Sequence, residues 1–181
     1  FGDELAVDRG QMPYIDPRSA IMKYARYHNL AVPYADEDTP LRQLNPCPVS
    51  TIHYCEGDEQ RLHCQTSLTG VWPDPVTSAE RLLDSDDPRR LTVTDRLSSD
   101  QALPVGFLLH SRYPWEQFAG GWVTAGPHGR LKVTPRWSPQ VTEGQEDFIM
   151  GTKEPAYRLL LLSDPKTTHT LITDLEVERC A

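Results

Sequence analysis

The sequence has little of what marks a membrane protein. Its longest aliphatic run is the four residues Leu159-Leu160-Leu161-Leu162, far short of the roughly 18 that a spanning helix needs. It also lacks a basic tract. The densest pair, Arg89-Arg90, follows Asp84, Asp86 and Asp87, and the formal net charge is −8. Acidic charge repels phosphate backbones, so nucleic acid is not an expected partner. A polybasic membrane-surface patch is missing for the same reason. No Asn-x-Ser/Thr acceptor occurs, so N-glycosylation gives no support for secretion.

Signatures of catalysis are missing too. There is no Gly-x-Ser-x-Gly elbow and no His-Glu-x-x-His,. Asp100, His110 and Ser111 are the residues of a hydrolytic triad, but His110 and Ser111 are adjacent on a strand and diverge. His53, Cys55, His63 and Cys64, with Cys47 nearby, are the right ligand types for zinc. Their spacing does not match the paired ligands of zinc modules, and His63 and Cys64 would face opposite sides of a strand. No metal site and no cofactor are expected. Acidic patches at Asp84, Asp86 and Asp87 and at Glu143, Glu146 and Asp147 read as solvated faces. With 26 acidic residues, some pair at the spacing of a glycosidase is unavoidable. The first patch also lacks the order of a calcium-binding EF-hand loop.

What is present points to a β protein. The 181 residues suit one hydrophobic core, and 16 prolines with 11 glycines imply many turns and few long helices,. The fold class expected is mainly β: an antiparallel β-sandwich or small β-barrel, with a short N-terminal helix and an extended N-terminal segment. Asp16-Pro17 provides an N-cap and a first-turn proline for a helix from Arg18 to His28. Residues 1–50 read as an extension packed on or wrapping the core, or as an attached pro-segment, and 51–181 as the β core. The alternation from Leu62 to Trp72 predicts one strand, or two joined by a bulge at Gly70. A brief helix is expected over 77–84, then a charged loop to Arg90 that carries a dibasic pair.

Further strands follow in the second half. Leu103, Val105, Phe107 and Leu109 alternate. Residues 117–124 and 130–137 flank Ala125-Gly126-Pro127-His128-Gly129 as a hairpin. Tyr157 to Ser163 predicts a central strand covered on both faces, and His169 to Val177 the strand that returns beside it.

Four cysteines, Cys47, Cys55, Cys64 and Cys180, form an even set among loops. Two disulfides are expected, with Cys180 bridged to one of the clustered three. Together with a chain that opens on Phe1, this suits a secreted protein whose signal peptide has been removed, or a trimmed chain. The strongest functional signal is aromatic. Tyr113, Trp115 and Phe118, with His128 at the hairpin tip, form the expected binding surface, Trp115 partly exposed and Trp122 in the core.

The architecture resembles small secreted microbial proteins, fungal effectors among them, on fold alone. The expected function is therefore a secreted, non-catalytic binding protein of the virulence or host-interaction kind, with a protein partner or a glycan. The alternatives are a secreted hydrolase acting on carbohydrate and a structural or envelope protein.

Overall fold

The structure is a computed structural model that describes residues 2–8, 19, 24–44, 50–148 and 155–180, with backbone alone for 146–148. The strands are β1 (Ala31–Pro33), β2 (Thr51–Gly57), β3 (Leu62–Ser67), β4 (Val76–Asp87), β5 (Arg90–Leu103) and β6 (Val105–Ser111). They continue with β7 (Trp115–Phe118), β8 (Gly121–Ala125), β9 (Gly129–Pro135), β10 (Gln140–Phe148), β11 (Pro155–Leu162) and β12 (Lys166–Arg179). They build two open antiparallel sheets. The smaller runs β1-β6-β11-β10 and the larger β2-β3-β4-β5-β12-β9-β8-β7. Neither sheet closes on itself, so the architecture is the sandwich and not the barrel.

The period-two burial of β12 shows why the sheets pack. His169, Leu171 and Thr173 are buried while Thr168, Thr170 and Ile172 are not, so one face of the strand points inward. The leucine run behaves differently. Leu159 and Leu161 join Phe107, Val93, Leu131 and Val133 in one apolar cluster. Leu160 and Leu162 join Leu108, Val32, Tyr34 and Ala25 in the other. Strand β11 is thus covered on one side by the larger sheet and on the other by the N-terminal segment, as its unbroken leucines predict. The predicted hairpin is also present: β8 pairs with β9, Trp122 opposite Val133 and Ala125 opposite Arg130.

Three expectations are corrected. Among the described residues no helix reaches seven residues. Within the expected N-terminal helix, Ser19 is helical and Ala25–Tyr27 forms a 3-10 turn, while residues 18 and 20–23 lie outside the described residues. The next part of that segment is instead recruited as a strand, β1, paired with β6 through Ala31↔Phe107. The helix expected over 77–84 is the middle of β4, and the expected charged loop shrinks to Pro88-Arg89, with Asp87 opposite Arg90.

The disulfide framework is corrected as well. Cys55, Cys64 and Cys180 are free thiols, and Cys47 lies outside the described residues. Register explains why Cys180 does not join Cys55 or Cys64. Cys64 aligns through Leu83 and Val93 with Thr173, three strand spacings away, or roughly 14 Å. Cys180 is a further seven residues along from Thr173. A disulfide requires Cα atoms within about 7 Å.

Buried at one end of the sandwich is a polar knot. His169 Nε2 lies 2.8 Å from the Leu103 carbonyl and 3.1 Å from that of Lys166. Carbonyls only accept, so Nε2 carries the proton and Nδ1 accepts from the Ser163 hydroxyl at 3.2 Å,. The Ser163 oxygen in turn accepts the Val105 N–H at 2.9 Å. Burial pushes the imidazole below the usual histidine range, against the opposing pull of the two carbonyls,. The folded state therefore holds His169 neutral while the unfolded chain protonates near the ordinary value, about 6.5. Stability from this group is full above that value and is lost as pH falls toward the depressed one. Melting temperature is expected to decline between about pH 7.5 and 5.5, and His169→Gln to show a shallower decline over that window. An identical slope in the variant would contradict this.

Candidate functional site

The larger sheet has eight strands and the smaller four, so the inner face of the larger one is not covered everywhere. Where cover is missing, an open groove of about 690 Å³ remains. Its floor is apolar: Leu62 from β3, Leu91 from β5, Leu131 from β9, and Leu175 and Val177 from β12. One wall is the N-terminal segment at Asp3 to Ala6, held by the Val7 N–H bond to the His110 carbonyl at 2.9 Å. Two hairpin turns, 58–62 and 88–91, provide the rim.

The rim is charged. Arg61, Arg89 and Arg90 line it with Asp58 and Glu59. Most of the acids already have partners. Asp58 pairs with Arg61 at 3.2 Å and accepts the Gln60 and Arg61 N–H groups. The Gln60 amide and then Arg61 hold its carboxyl below the usual range. Glu4 pairs with Arg112. Across the Pro88-Arg89 turn a second depression, about 490 Å³, is lined by Arg89, Arg90, Arg130 and Arg179 with Glu176 and Glu178. Five arginines thus gather around one turn of an acidic chain. Arg90 shares Glu176 and Arg130 shares Glu178. Among the described residues, Arg89 and Arg179 have no ion-pair partner.

The outer face beyond this end is a ladder of charge pairs. Arg136 grips Asp174 at 2.6 and 2.7 Å, and Thr92 donates to the same carboxylate at 2.8 Å. The Arg136 bond, foremost, holds Asp174 below the usual carboxylate range. Lys132 and then Arg130 do the same for Glu178. Opposite charges facing each other across strands stabilise the sheet modestly. That region is self-satisfied, whereas Arg89 and Arg179 at its end are not.

The aromatic surface expected from the sequence is only partly assembled. Trp115 is 6% exposed and its indole donates to the Tyr157 carbonyl at 3.1 Å. It packs in the core because β7 pairs with β8 and turns that residue inward, so the expectation of partial exposure is corrected. Trp122 is core, as expected. Phe118 is half-buried at the edge of β7. Tyr113 and His128 do converge, on Gly126 and Asp3. A Cβ on Gly126 would lie 2.7 Å from the Asp3 carboxyl carbon and 2.8 Å from the Tyr113 ring. Asp3 accepts the His128 and Gly129 N–H groups at 2.7 and 2.6 Å. Burial pushes its carboxyl up, but these bonds and the His128 ring outweigh that and hold it low. His128 is thus an anchor for the N-terminal segment that walls the groove.

Other sequence candidates stay apart. His110 is hydrogen-bonded to Asn29, whereas Ser111 is bonded to Thr124. His63 sits between Asp84 and Asp86, at 3.1 and 3.5 Å, on the opposite face of β3 from Cys64. Among the described residues no three histidine, cysteine or acidic side chains come together as a metal cage, and no helix is long and apolar enough to cross a membrane.

The fold and this groove define an open antiparallel β-sandwich whose rim at one end mixes arginines with carboxylates. Solved structures share the fold. Heparan sulfate lyase HepC from Pedobacter heparinus matches 97% of this chain with TM-score 0.74 at 9% identity. A mutant of that enzyme matches 98% with TM-score 0.69 at 10% identity. Heparinase III, the BT4657 gene product, matches 97% with TM-score 0.69 at 9% identity. The chain spans less than a third of their length: 29% of each HepC chain and 28% of the heparinase III chain. No protein-family model matches the sequence, and no curated protein is similar to it in sequence.

Proposed function

We propose that the chain is a glycan-directed β-sandwich module that holds an acidic polysaccharide, of the heparan sulfate kind, along the arginines at the β4–β5 turn. The observation that carries this reading is that Arg89 and Arg179, without an acidic partner among the described residues, stand beside Arg61, Arg90 and Arg130 around one turn, where carboxylates hold those three in pairs. A guanidinium fork matches sulfate and carboxylate oxygens in pairs. Arg89 and Arg179 are available at once, while Arg61, Arg90 and Arg130 can exchange a carboxylate of the protein for one of the ligand. The leucines of the groove floor offer the apolar contact that the C–H face of a sugar ring takes. The fold shared with heparan sulfate lyases supports the same ligand class. Because the chain spans less than a third of those enzymes, bond cleavage by a longer protein containing such a module belongs to this proposal too. A glycan takes the place of the expected protein partner, and the extracytoplasmic setting stays with it as a proposal.

Calorimetric titration with a heparan sulfate oligosaccharide at low salt tests the reading. Saturable binding is expected that weakens steeply with salt, as charge-driven contacts do. Arg89→Ala with Arg179→Ala should lower affinity roughly tenfold or more, about 1.4 kcal/mol, without changing the melting temperature. A neutral polysaccharide should not bind. No binding of the sulfated chain at low ionic strength, or unchanged affinity in the double variant, overturns it.

A further inference from the structure

One hairpin of the sandwich has almost no core beneath it. Strand β2 is the outermost strand of the larger sheet, and all seven of its residues are exposed, Ile52 and Tyr54 among them. Such an edge presents unpaired backbone groups and apolar side chains to any other extended chain. Its hold on the protein is the ladder to β3, and that ladder is interrupted by a bulge between Ile52 and Tyr54. Just beyond the bulge, Cys55 stands directly opposite Cys64. Antiparallel partners have Cα atoms roughly 4.5–5.5 Å apart, inside the range of about 4.4–6.8 Å that a disulfide spans. Both thiols are free, Cys55 exposed and Cys64 buried. They are hydrogen-bonded to one another, and that bond together with burial raises the Cys64 thiol above its usual range.

We infer that Cys55 and Cys64 form a reversible thiol–disulfide site that staples the edge strand β2 to β3 when a small-molecule disulfide oxidises it. Exposure decides the order of events. The Cys55 thiolate attacks one sulfur of the small disulfide, whose S–S bond breaks, and the departing thiolate takes up a proton. This leaves a mixed disulfide at Cys55. The Cys64 thiolate then attacks the Cys55 sulfur, forms the cross-strand bond and expels the second small thiolate, which is also protonated. Two protein thiols are oxidised and one small disulfide is reduced to two thiols. The second step is the slower at neutral pH, because the buried Cys64 is rarely a thiolate there. The staple is local to the hairpin: Cys180 is three strands and seven residues away from Cys64, beyond reach.

Oxidised glutathione is the probe. The folded chain is incubated with an excess at pH 8, quenched in acid, alkylated, digested without reductant and mapped by mass spectrometry over time. The expected result is a glutathione adduct on Cys55 that rises and decays as a Cys55–Cys64 linked peptide accumulates, with full reversal by dithiothreitol. Cys64→Ser should stop the reaction at the Cys55 adduct. A lasting adduct with Cys64 still alkylatable, or Cys55 linked to Cys47 or Cys180 as the main product, overturns the inference.

Discussion

Arg81→Ala is expected to lower the stability of the fold by about 3–5 kcal/mol, the cost of leaving one member of a buried ion pair alone. Arg81 on β4 and Asp95 on β5 are direct cross-strand partners and point between the sheets. The guanidinium grips the carboxylate with Nε at 2.6 Å and Nη2 at 2.8 Å. Its third nitrogen, Nη1, donates to the Asn29 carbonyl at 2.9 Å, which ties the N-terminal segment to the sandwich. The Phe107 ring lies 5.8 Å away, close enough to favour the cation. Removing the arginine leaves Asp95, whose side chain is 5% exposed, as a charge with neither water nor partner. Lysine does not replace it, because a point charge cannot serve two carboxylate oxygens and a carbonyl at once. Replacing both partners with alanine should therefore be less damaging than the two single losses added together. Urea melts of Arg81→Ala, Asp95→Ala and the double variant decide it. An Arg81→Ala protein within 1 kcal/mol of the parent, a threshold of roughly one ordinary hydrogen bond, contradicts this account of the core.

Two of the buried indoles, Trp115 and Trp122, give the second large effect. Trp115→Ala and Trp122→Ala are each expected to cost about 3–5 kcal/mol, through lost contact and the cavity left behind. They share one apolar cluster with Leu131, Val133, Leu159 and Leu161, so their losses should not add fully. Trp115 has a further role. Its indole N–H reaches the Tyr157 carbonyl of β11, a link from the larger sheet to the smaller. Trp115→Phe should accordingly cost about 0.5–1.5 kcal/mol beyond any loss of apolar area, the net worth of one hydrogen bond. Urea or thermal melts of the three variants check this. A Trp115→Ala protein as stable as the parent would return that residue to the surface, and with it the aromatic recognition patch.

Features whose signal is local were legible in the sequence. The continuous leucines of β11 announce a strand with no wet face, and the alternation around Ala125 to Gly129 announces a hairpin. Strand β4 does not read as a strand because Arg81 takes an inward position between Ala79 and Leu83 while Leu82 faces outward, which breaks the apolar alternation. An inward-facing arginine is polar in sequence yet interior in space, and only its partner on β5 reveals that. Trp115 was misplaced because Pro114 suggests a rigid exposed loop, whereas the pairing with β8 that buries the indole is invisible locally. An even cysteine count suggests bridges but carries no register, and register is what separates Cys180 from Cys64. The groove was not legible at all. Its floor comes from Leu62, Leu91, Leu131 and Leu175, on four strands far apart in sequence, and its wall is pinned by an Asp3–His128 contact 125 positions apart. Nor does the pair Arg89-Arg90 show that Arg61, Arg130 and Arg179 end beside it.

The proposed seat of an acidic polysaccharide is the arginine end of this sandwich. Amide hydrogen exchange, followed with and without a saturating heparan sulfate oligosaccharide, tests it most directly. Slowed exchange is expected at the two rim hairpins, residues 58–62 and 88–91, and at the ends of β9 and β12 around Arg130 and Arg179, with little change in β6 and β11. Protection confined to the opposite end of the sandwich, or no protection at a concentration that saturates the chain, would contradict it.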